Sequence, residues 1–395
     1  MIARIRSFSI NYRWLAYPIL AFVLSRALIF GVGLLGDTML PTEEGHWVAD
    51  AESPFLSMWA KWDSQYYVDI AANGYWFKPE QQSNVAFFPL YPMAMRFFSI
   101  FTGGNLILAG FIVSNLAFFG ALVYLFLLAK LEIDEPAAER AVFYLALFPT
   151  AFFFNSVYTE SLFLMLTISG MYYARKHNWV VAAVLGLLAA STRNLGILMW
   201  PLVLWEWLRV QGWQLQRIHK KDMWLDLWNG VRENWMEAMT ICVIPLGMAS
   251  YIFFLQRNFG RPLAFIETQA AWGRVNVGPV AVLKNNISKI LEGGLTKGWL
   301  TMFWNTVALI AFLVFVPFIW IRFGEGYAIY VLIQLLIPSS SATGSIIRYV
   351  LTMFPAFLLL AYWGKRLWVD RAITLAFTIL LGVFVTVFVN WIFVA

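Results

Sequence analysis

The chain has 395 residues, of which 61% are hydrophobic and 13% are charged, and its formal net charge is +6. Soluble domains are about 45–50% apolar and about 25% charged, so this composition excludes a string of soluble domains and predicts a protein that uses lipid as its solvent. The small net charge, without a basic patch interleaved with aromatic residues, argues against nucleic-acid binding, and the single Cys242 excludes an internal disulfide framework.

Long continuous apolar runs predict membrane-spanning α-helices, because a closed barrel would show short alternating segments instead. The first run, 14–35, follows Arg4, Arg6 and Arg13 and is predicted to remain as an anchor, since no small-residue cleavage site ends it. We expect about eleven spans in one all-α polytopic domain, residues 1–395. The further runs lie near 105–129, 140–155, 160–174, 179–191, 195–208, 237–256, 299–321, 326–338, 346–363 and 372–394.

Basic residues set the predicted orientation, because cytoplasmic loops are enriched in Lys and Arg. An N-terminus in the cytoplasm also places the basic clusters at 175–176, 209–236 and 365–371 inside. The long loop 36–86 then lies on the non-cytoplasmic side, and it is rich in acidic residues, including Glu43, Glu44 and Glu52. Catalytic residues are therefore expected in this large first outer loop.

Residues of about 213–235 are predicted to form an interfacial helix on the cytoplasmic face. At 100° per residue Trp224, Trp228, Val231 and Trp235 share one side, and acidic residues share the other. Such an amphipathic split suits a helix lying in the membrane surface, and a structural anchor is its expected role.

The predicted outer loop 257–298 is rich in basic residues, although such residues are expected mainly in cytoplasmic loops. Its charged residues are Arg257, Arg261, Arg274, Lys284, Lys289 and Lys297 against Glu267 and Glu292. An anionic ligand at that surface would account for the excess, and Arg274 is the predicted contact, whereas the lysines are expected to face headgroups. The alternative is a solvated loop, because long loops cross membranes largely regardless of charge.

The segment 60–75, AKWDSQYYVDIAANGY, places Trp62, Asp63 and Asp69 where a polar loop returns to an apolar surface. A carboxylate that is partly desolvated at such a boundary is a more effective proton acceptor. If the segment is helical, the two acids point about 120° apart and need not form a pair. The alternative is that Asp63 caps a short helix and Trp62 anchors it.

The next outer segment, AFFPLYPMAMR, contains Pro89 and Pro92, which we expect to prevent a regular helix. Arg96 follows them. It could face a lipid phosphate, or it could extend to the headgroups like many boundary arginines.

Polar residues recur at the predicted outer ends of three later spans. They are Asn155, Tyr158 and Glu160 in PTAFFFNSVYTE, Arg193 in STRNLG, and Arg348 and Tyr349 in SIIRYVLTMFP. Arginines brought to one face by separate spans would bind phosphate, because a guanidinium forks onto phosphate oxygens. Each arginine alone is more often in an ion pair or in contact with headgroups, but their shared side of the membrane favours a joint phosphate site.

The sequence lacks the motifs of several common catalytic and nucleotide-binding sites. The sequence contains no P-loop, no H-E-x-x-H and no G-x-S-x-G pattern. His46, His177 and His219 are far apart, and the topology puts only His46 outside. No metal site and no cofactor are expected, although assistance by a divalent ion stays open.

The motifs KWD…IAANGY, AFFPLYP, FPTAFFFNSVYTESLF, TRNLG and RYVLTMFP occur in that order over roughly positions 60–360. This set resembles the PIG-V family, the GPI mannosyltransferase 2 type of enzymes, and its bacterial relatives. The resemblance implies a GT-C fold, a polyprenyl-phosphate sugar donor and an essential acid in the first outer loop. The family often has His-Phe where this chain has Tyr66 and Tyr67.

By that resemblance Asp63 takes the catalytic position, while Glu160, Arg193 and Arg348 match the Y-[ST]-E, [ST]-R-x-x-G and RY motifs. The implied function is an inverting mannosyltransferase of the bacterial plasma membrane, acting on its non-cytoplasmic side. Its partners would be a polyprenyl-phosphate sugar, a glycolipid or other hydroxyl acceptor, and membrane lipids. The predicted substrate-binding residues are Trp62, Tyr66, Asp69, Arg96, Asn155, Tyr158, Glu160, Arg193, Arg274, Arg348 and Tyr349.

A polytopic transporter or lipid flippase is the alternative function, and a non-catalytic scaffold is a further one. Transport predicts ionisable residues along a path through the membrane, and Arg26 in the first run is the clearest such residue. An enzyme predicts that the acids and arginines meet in one outer cavity. For a lipid-linked donor that cavity should also open to lipid, with the phenylalanine-rich stretches 87–101 and 148–154 as walls.

Overall fold

The computed structural model describes residues 12–40, 46–50, 53–294 and 296–392, and all regular structure within them is helical. Arg4, Arg6, Glu43, Glu44 and Glu52 fall outside the described residues. The α-helices are α1 (Arg13–Met39), α2 (Pro54–Ser57), α3 (Ser64–Asn73), α4 (Leu90–Ser99), α5 (Leu106–Glu132), α6 (Glu135–Ala146), α7 (Glu160–Arg175), α8 (Trp179–Ala190), α9 (Met199–Val210), α10 (Lys221–Glu233), α11 (Trp235–Ile241), α12 (Leu246–Phe259), α13 (Ala264–Glu267), α14 (Pro279–Glu292), α15 (Lys297–Phe323), α16 (Glu325–Ser339), α17 (Ile346–Tyr349), α18 (Phe354–Trp363) and α19 (Leu367–Val389).

Four described helices, α1, α5, α15 and α19, are long and apolar enough to cross a membrane. Two bent pairs, α11 with α12 at 44° and residues 346–352 with α18 at 76°, would raise the number to six by length and composition. The all-helical membrane architecture is therefore confirmed, because helices satisfy their own backbone polar groups in lipid. The count of about eleven spans stays a prediction, since several of the expected spans form shorter helices such as α8 and α16.

Local sequence explains where several helices begin. The Asn105 side chain accepts a hydrogen bond from the Leu108 N–H at the start of α5, and Asn178 and Thr296 cap α8 and α15 in the same way. Each cap satisfies a backbone N–H that has no partner inside the helix. The apolar composition thus makes these segments helical, and the capping residues set where each helix begins.

The core forms around α5, which packs against α1, α4, α6 and α7. Its buried Phe118 stacks on Phe154 at 4.5 Å between ring centroids. Phe148 and Phe152–Phe154 are buried in the same core. This burial means that the stretch 148–154 is not the wall of a lipid groove, contrary to expectation.

One other local expectation is also wrong. Pro89 and Pro92 do not prevent a helix, because they stand at the N-cap and in the first turn of α4, where a missing N–H costs no helical hydrogen bond. Within the predicted outer loop 257–298 the structure forms α13 and the 14-residue α14. The segment predicted to lie at the interface does form a helix, α10, and its Trp224 and Trp228 are exposed.

The helix α7 carries charged clusters at both ends. Glu160 begins it, and Arg175 ends it beside Glu132 and Glu206, at 2.6 and 2.5 Å. Sixteen helical residues span about 24 Å, so the two clusters lie on opposite sides of the bundle. A cavity lies at the Glu160 end.

Candidate active site

A cavity of about 590 Å³ opens at the Glu160 end of the bundle. It is assembled from the segments that begin α3, α4 and α7, from the turn after α8, from the segment after α13, and from α17. Its charged lining residues are Asp63, Glu160, Arg193, Arg274 and Arg348. Volumes of this size are typical of small-molecule sites, so the cavity is the candidate active site.

Asp63 stands at the N-cap position of α3, but its side chain makes no capping hydrogen bond. Instead its Oδ2 accepts a hydrogen bond from Arg348 Nη1 at 2.6 Å, and 27% of the side chain is exposed. No described residue donates a hydrogen bond to Oδ1 in this geometry. The carboxylate is therefore held by one oxygen and turned toward the cavity rather than used to cap the helix.

Arg348 also lies beside Glu160, with 3.4 Å between Nε and Oε1. Glu160 in turn accepts a hydrogen bond from Arg193 Nη1 at 2.6 Å and is buried as the first residue of α7. Asp63, Arg348, Glu160 and Arg193 thus form a chain of alternating charges. Its members come from four distant parts of the sequence.

Arg193 reaches this chain because the backbone turns closely after α8. Arg193 is extended, and the 3₁₀ helix Asn194–Leu198 packs back onto the end of α8. A Cβ on Gly196 would lie 2.0 Å from the Ala189 carbonyl oxygen. The glycine of the TRNLG motif is therefore required by this close approach, and the turn sets where Arg193 emerges.

Arg274 enters the cavity from the segment after α13. Its Nη1 donates a hydrogen bond to Tyr349 Oη at 3.1 Å, and no described carboxylate lies within ion-pair distance of it. The Tyr349 ring also faces the Arg193 and Arg348 guanidinium groups at 5.3 and 5.8 Å. Three arginines face two carboxylates, so the described charged groups leave a surplus positive charge that suits an anion.

Aromatic rings also line the cavity. The Tyr66 ring stacks on Phe87 at 4.8 Å and meets Trp272 edge-on at 5.8 Å. Its hydroxyl donates a hydrogen bond to Gln82 Oε1 at 3.1 Å. Burial raises the pKa of Tyr66, and the Asp63 carboxylate raises it further, so the phenol is neutral at physiological pH.

Four predicted site residues do not line this cavity. Asp69 faces away from it and accepts hydrogen bonds from Trp76 and Asn84 at 2.6 and 2.9 Å, in keeping with its angular separation from Asp63 on a helix. Arg96 is exposed on α4, and Asn155 is fully buried in the core. Tyr158 lies beneath the cavity, and its hydroxyl contacts backbone rather than open space.

Several lining residues were missed by the sequence analysis. They are Gln65, Tyr67, Gln82, Thr192, Asn194, Gln269, Trp272 and Ser345. All are uncharged, and none belongs to a sequence motif that by itself indicates a function. The one clue was proximity in sequence, because Thr192 and Asn194 flank Arg193. Among the described residues no three His, Cys, Asp or Glu side chains form a metal-ligating group.

A second cavity of about 760 Å³ adjoins the first. The two share Trp62, Ala342 and Gly344, and the second continues between α14, the start of α15 and the segment after α19. Its described lining contains no ionisable residue; it combines apolar side chains such as Val277, Met302 and Trp391 with amide and hydroxyl groups such as Asn285 and Thr301. An uncharged compartment therefore lies directly beside the arginine-lined one.

Comparison with known proteins identifies a family whose sequence model matches this chain. Residues 5–246 match the family model described as Mannosyltransferase (PIG-V), a range that contains Asp63, Glu160 and Arg193. GPI mannosyltransferase 2 of Cryptococcus neoformans var. neoformans is 32% identical over 148 residues, covering 35% of this chain and 34% of that protein. The Schizosaccharomyces pombe protein of the same name is 35% identical over 149 residues, covering 36% and 30%. The match spans about a third of the length of these curated relatives.

Two solved structures resemble the chain as well. One is an Archaeoglobus fulgidus oligosaccharyltransferase in complex with Zn and sulfate, with a TM-score of 0.46 at 11% identity over 94% of this chain and 53% of that one. The other is an oligosaccharyltransferase from the same organism with an inhibitory peptide and a dolichol-phosphate, with a TM-score of 0.46 at 13% identity over 96% and 56%.

Proposed function

The chain belongs to the PIG-V mannosyltransferase family, and from that membership we propose that it is a GT-C type enzyme that transfers mannose from a polyprenyl-phosphate sugar to an acceptor hydroxyl. The observation that carries the proposal is the one cavity that Asp63 lines together with three arginines, Arg193, Arg274 and Arg348. A proton acceptor and an anion site within one compartment are the two parts that this reaction needs.

The arginines suit the donor phosphate. A sugar phosphodiester carries one negative charge, which the surplus positive charge of the cavity matches. When the bond between the anomeric carbon and the phosphate oxygen breaks, the leaving lipid phosphate gains a second negative charge. Arg274, Arg193 and Arg348 would stabilise that charge through preorganised N–H groups, and this role requires no metal ion.

Asp63 is the proposed general base. It accepts the proton of the acceptor hydroxyl, and that oxygen forms the new bond to the anomeric carbon as the bond to phosphate breaks. A single displacement of this kind inverts the anomeric configuration. The Oδ1 atom, to which no described residue donates, is the oxygen placed to take the proton, while Arg348 holds Oδ2 at 2.6 Å. General-base catalysis contributes about 10²–10⁴-fold.

The uncharged second cavity supports a lipid-linked donor. A polyprenyl chain gains about 0.8 kcal/mol for each CH₂ group that leaves water, so it stays in apolar surroundings while its phosphate meets the arginines. The second cavity adjoins the charged one at Trp62 and lies at the ends of α15 and α19. We place the first isoprene units there, and Trp62, Tyr66 and Tyr349 around the sugar phosphate.

We place the site on the non-cytoplasmic side of a bacterial plasma membrane. The basic clusters at 175–176 and 365–371 lie at the far ends of α7 and α18, away from the cavity. The predicted site residues Asp63, Glu160, Arg193, Arg274 and Arg348 lie together in one cavity at one end of the bundle, which supports an enzyme rather than a transport path. Arg26, the residue that most suggested transport, is buried between α1 and α5 and donates a hydrogen bond to Asn115 at 3.2 Å.

The test is transfer by the purified protein. It would be incubated with polyprenyl-phosphate mannose and a panel of membrane lipids, and products would be identified by mass spectrometry. We expect a mannosylated lipid from the wild type and at least a 100-fold slower reaction from Asp63→Asn, within the range of general-base effects. Glu80→Gln, an exposed acid of the same outer segment that does not line the cavity, is the matched control. Equal rates for wild type and Asp63→Asn would exclude the proposed base.

A further inference from the structure

The turn that precedes Asp63 has an unusual backbone. Trp62 has φ = 53°, in the left-handed region that bulky side chains rarely adopt. Residues in such conformations persist only where their surroundings hold them, and they concentrate at functional sites. The next residue along the chain is Asp63, so whatever holds Trp62 also determines where that carboxylate points.

One hydroxyl group bridges this turn. Tyr158 Oη donates a hydrogen bond to the Lys61 carbonyl oxygen at 3.0 Å and accepts one from the Asp63 N–H at 3.2 Å. It therefore joins the residue before Trp62 to the residue after it. The adjacent Val157 N–H donates a hydrogen bond to the Trp59 carbonyl oxygen at 3.0 Å. The segments 59–63 and 157–158 are therefore joined by hydrogen bonds at two positions.

Tyr158 is itself held firmly. Its side chain is buried, with the Phe153 ring 5.1 Å away edge-on. The Arg348 guanidinium lies 5.4 Å from the centre of the Tyr158 ring and reaches Asp63 with its Nη1 atom. A buried tyrosine thus fixes the backbone of Asp63, while the arginine above it fixes the carboxylate.

We propose that Tyr158 is a positioning residue, whose hydroxyl holds the left-handed Trp62 turn so that the Asp63 carboxylate stays in the cavity beside Arg348. This inference rests on the proposed role of Asp63 as the base. It replaces the expectation that Tyr158 contacts substrate, because the hydroxyl is already committed to two backbone groups. A base displaced by about 1 Å can lose about 100-fold in rate.

A purely structural role would produce a different pattern. If the hydroxyl only satisfied buried backbone groups, its removal would lower stability without a specific effect on turnover. Tyr91 provides the matched control, because its buried hydroxyl also makes two hydrogen bonds, to Gly110 O at 3.0 Å and Ser114 Oγ at 2.8 Å. Neither of these bonds involves the turn.

The first experiment compares Tyr158→Phe with Tyr91→Phe. For Tyr158→Phe we expect kcat to fall about 10- to 100-fold with KM for polyprenyl-phosphate mannose unchanged, whereas Tyr91→Phe keeps the wild-type kcat. Hydrogen exchange, followed by mass spectrometry on a peptide spanning 59–66, should be faster only in Tyr158→Phe, because the Asp63 N–H loses its acceptor. Unchanged exchange, or faster exchange with a wild-type kcat, would overturn the proposal.

The second experiment relieves the strained conformation. Asparagine adopts the left-handed region more readily than tryptophan does, so the Tyr158 hydroxyl should matter less in a Trp62→Asn background. We expect Tyr158→Phe to cost less than about 3-fold in kcat there, a clear departure from additivity. An equal cost in both backgrounds would refute the positioning role. If the wild type transfers no sugar at all, the proposed function fails, while the exchange comparison still decides whether Tyr158 holds the turn.

Discussion

Arg348 Nη1 lies 2.6 Å from Asp63 Oδ2 although the two residues are 285 positions apart in sequence. The same guanidinium approaches Glu160 at 3.4 Å through Nε. One side chain therefore ties the proposed base, at the start of α3, to the start of α7. This arrangement fixes the position of the Asp63 carboxylate relative to Glu160 and Arg193.

Replacement of Arg348 should slow the reaction. Arg348→Gln removes the group that holds Asp63 and one donor to the departing phosphate, and we expect kcat to fall by about 10²–10³. Arg348→Lys keeps the charge but cannot reach both carboxylates with a planar fork, so it should recover only part of the rate. Arg96→Gln, on an exposed arginine outside the cavity, should leave kinetics at wild-type values. Steady-state kinetics check all three, and a full rate in Arg348→Gln would contradict the proposed site.

Arg274 should govern donor affinity. Its guanidinium has no described carboxylate partner and contacts Tyr349 in the cavity, so Arg274→Gln removes the surplus positive charge. We expect polyprenyl phosphate to bind about 10-fold more weakly, within the usual value of a charged hydrogen bond, and its binding to become less sensitive to salt. Lys284→Gln, an exposed basic residue on α14, is the control and should bind normally. Equal affinity and equal salt dependence for both variants would show that the basic segment is a passive cover.

Gly196 should tolerate no larger side chain. An added Cβ would meet the Ala189 carbonyl oxygen at 2.0 Å, so Gly196→Ala must displace the turn that carries Arg193. We expect a destabilisation of about 1–3 kcal/mol, typical of overpacking, together with reduced activity. Gly31→Ala, where an added Cβ meets nothing within 4 Å, should be neutral or slightly stabilising. Thermal unfolding in detergent distinguishes the two, and an unchanged Tm for Gly196→Ala would contradict the close approach.

Because of Lys61, the folding stability of the protein should depend on pH in the alkaline range. Burial lowers the pKa of Lys61 to about 8, against an opposing effect of Asp37, and its Nζ donates a hydrogen bond to the Val389 carbonyl oxygen at 2.7 Å. Above pH 8 the folded protein has lost a proton that the unfolded chain retains until about pH 10.5, so folding stability should rise with pH in this window. The Tm of the wild type relative to Lys61→Met should therefore be higher at pH 9.5 than at pH 7. A difference that is independent of pH would show that Lys61 titrates normally.

Much of the architecture could be predicted from the sequence. The apolar composition required helices, and the helix α10 and the long spans α1, α5, α15 and α19 lie close to the predicted positions. The boundary motifs also identified Asp63, Glu160, Arg193 and Arg348, and the basic excess of 257–298 pointed to Arg274; all five line one cavity. These features depend on local composition and spacing, because charged residues at the ends of apolar runs are costly unless paired or used.

What the sequence by itself determined is therefore the class of protein, its helices and the short list of ionisable residues at one boundary. Only the tertiary structure decided which of these residues meet. It bound Asp69 to Trp76 and Asn84 outside the cavity, buried the phenylalanines of 148–154 in the core, and set an uncharged cavity beside the arginines. The physical reason is that helix formation and lipid burial are set by neighbouring residues, whereas a contact such as Asp63 with Arg348 depends on how distant helices pack.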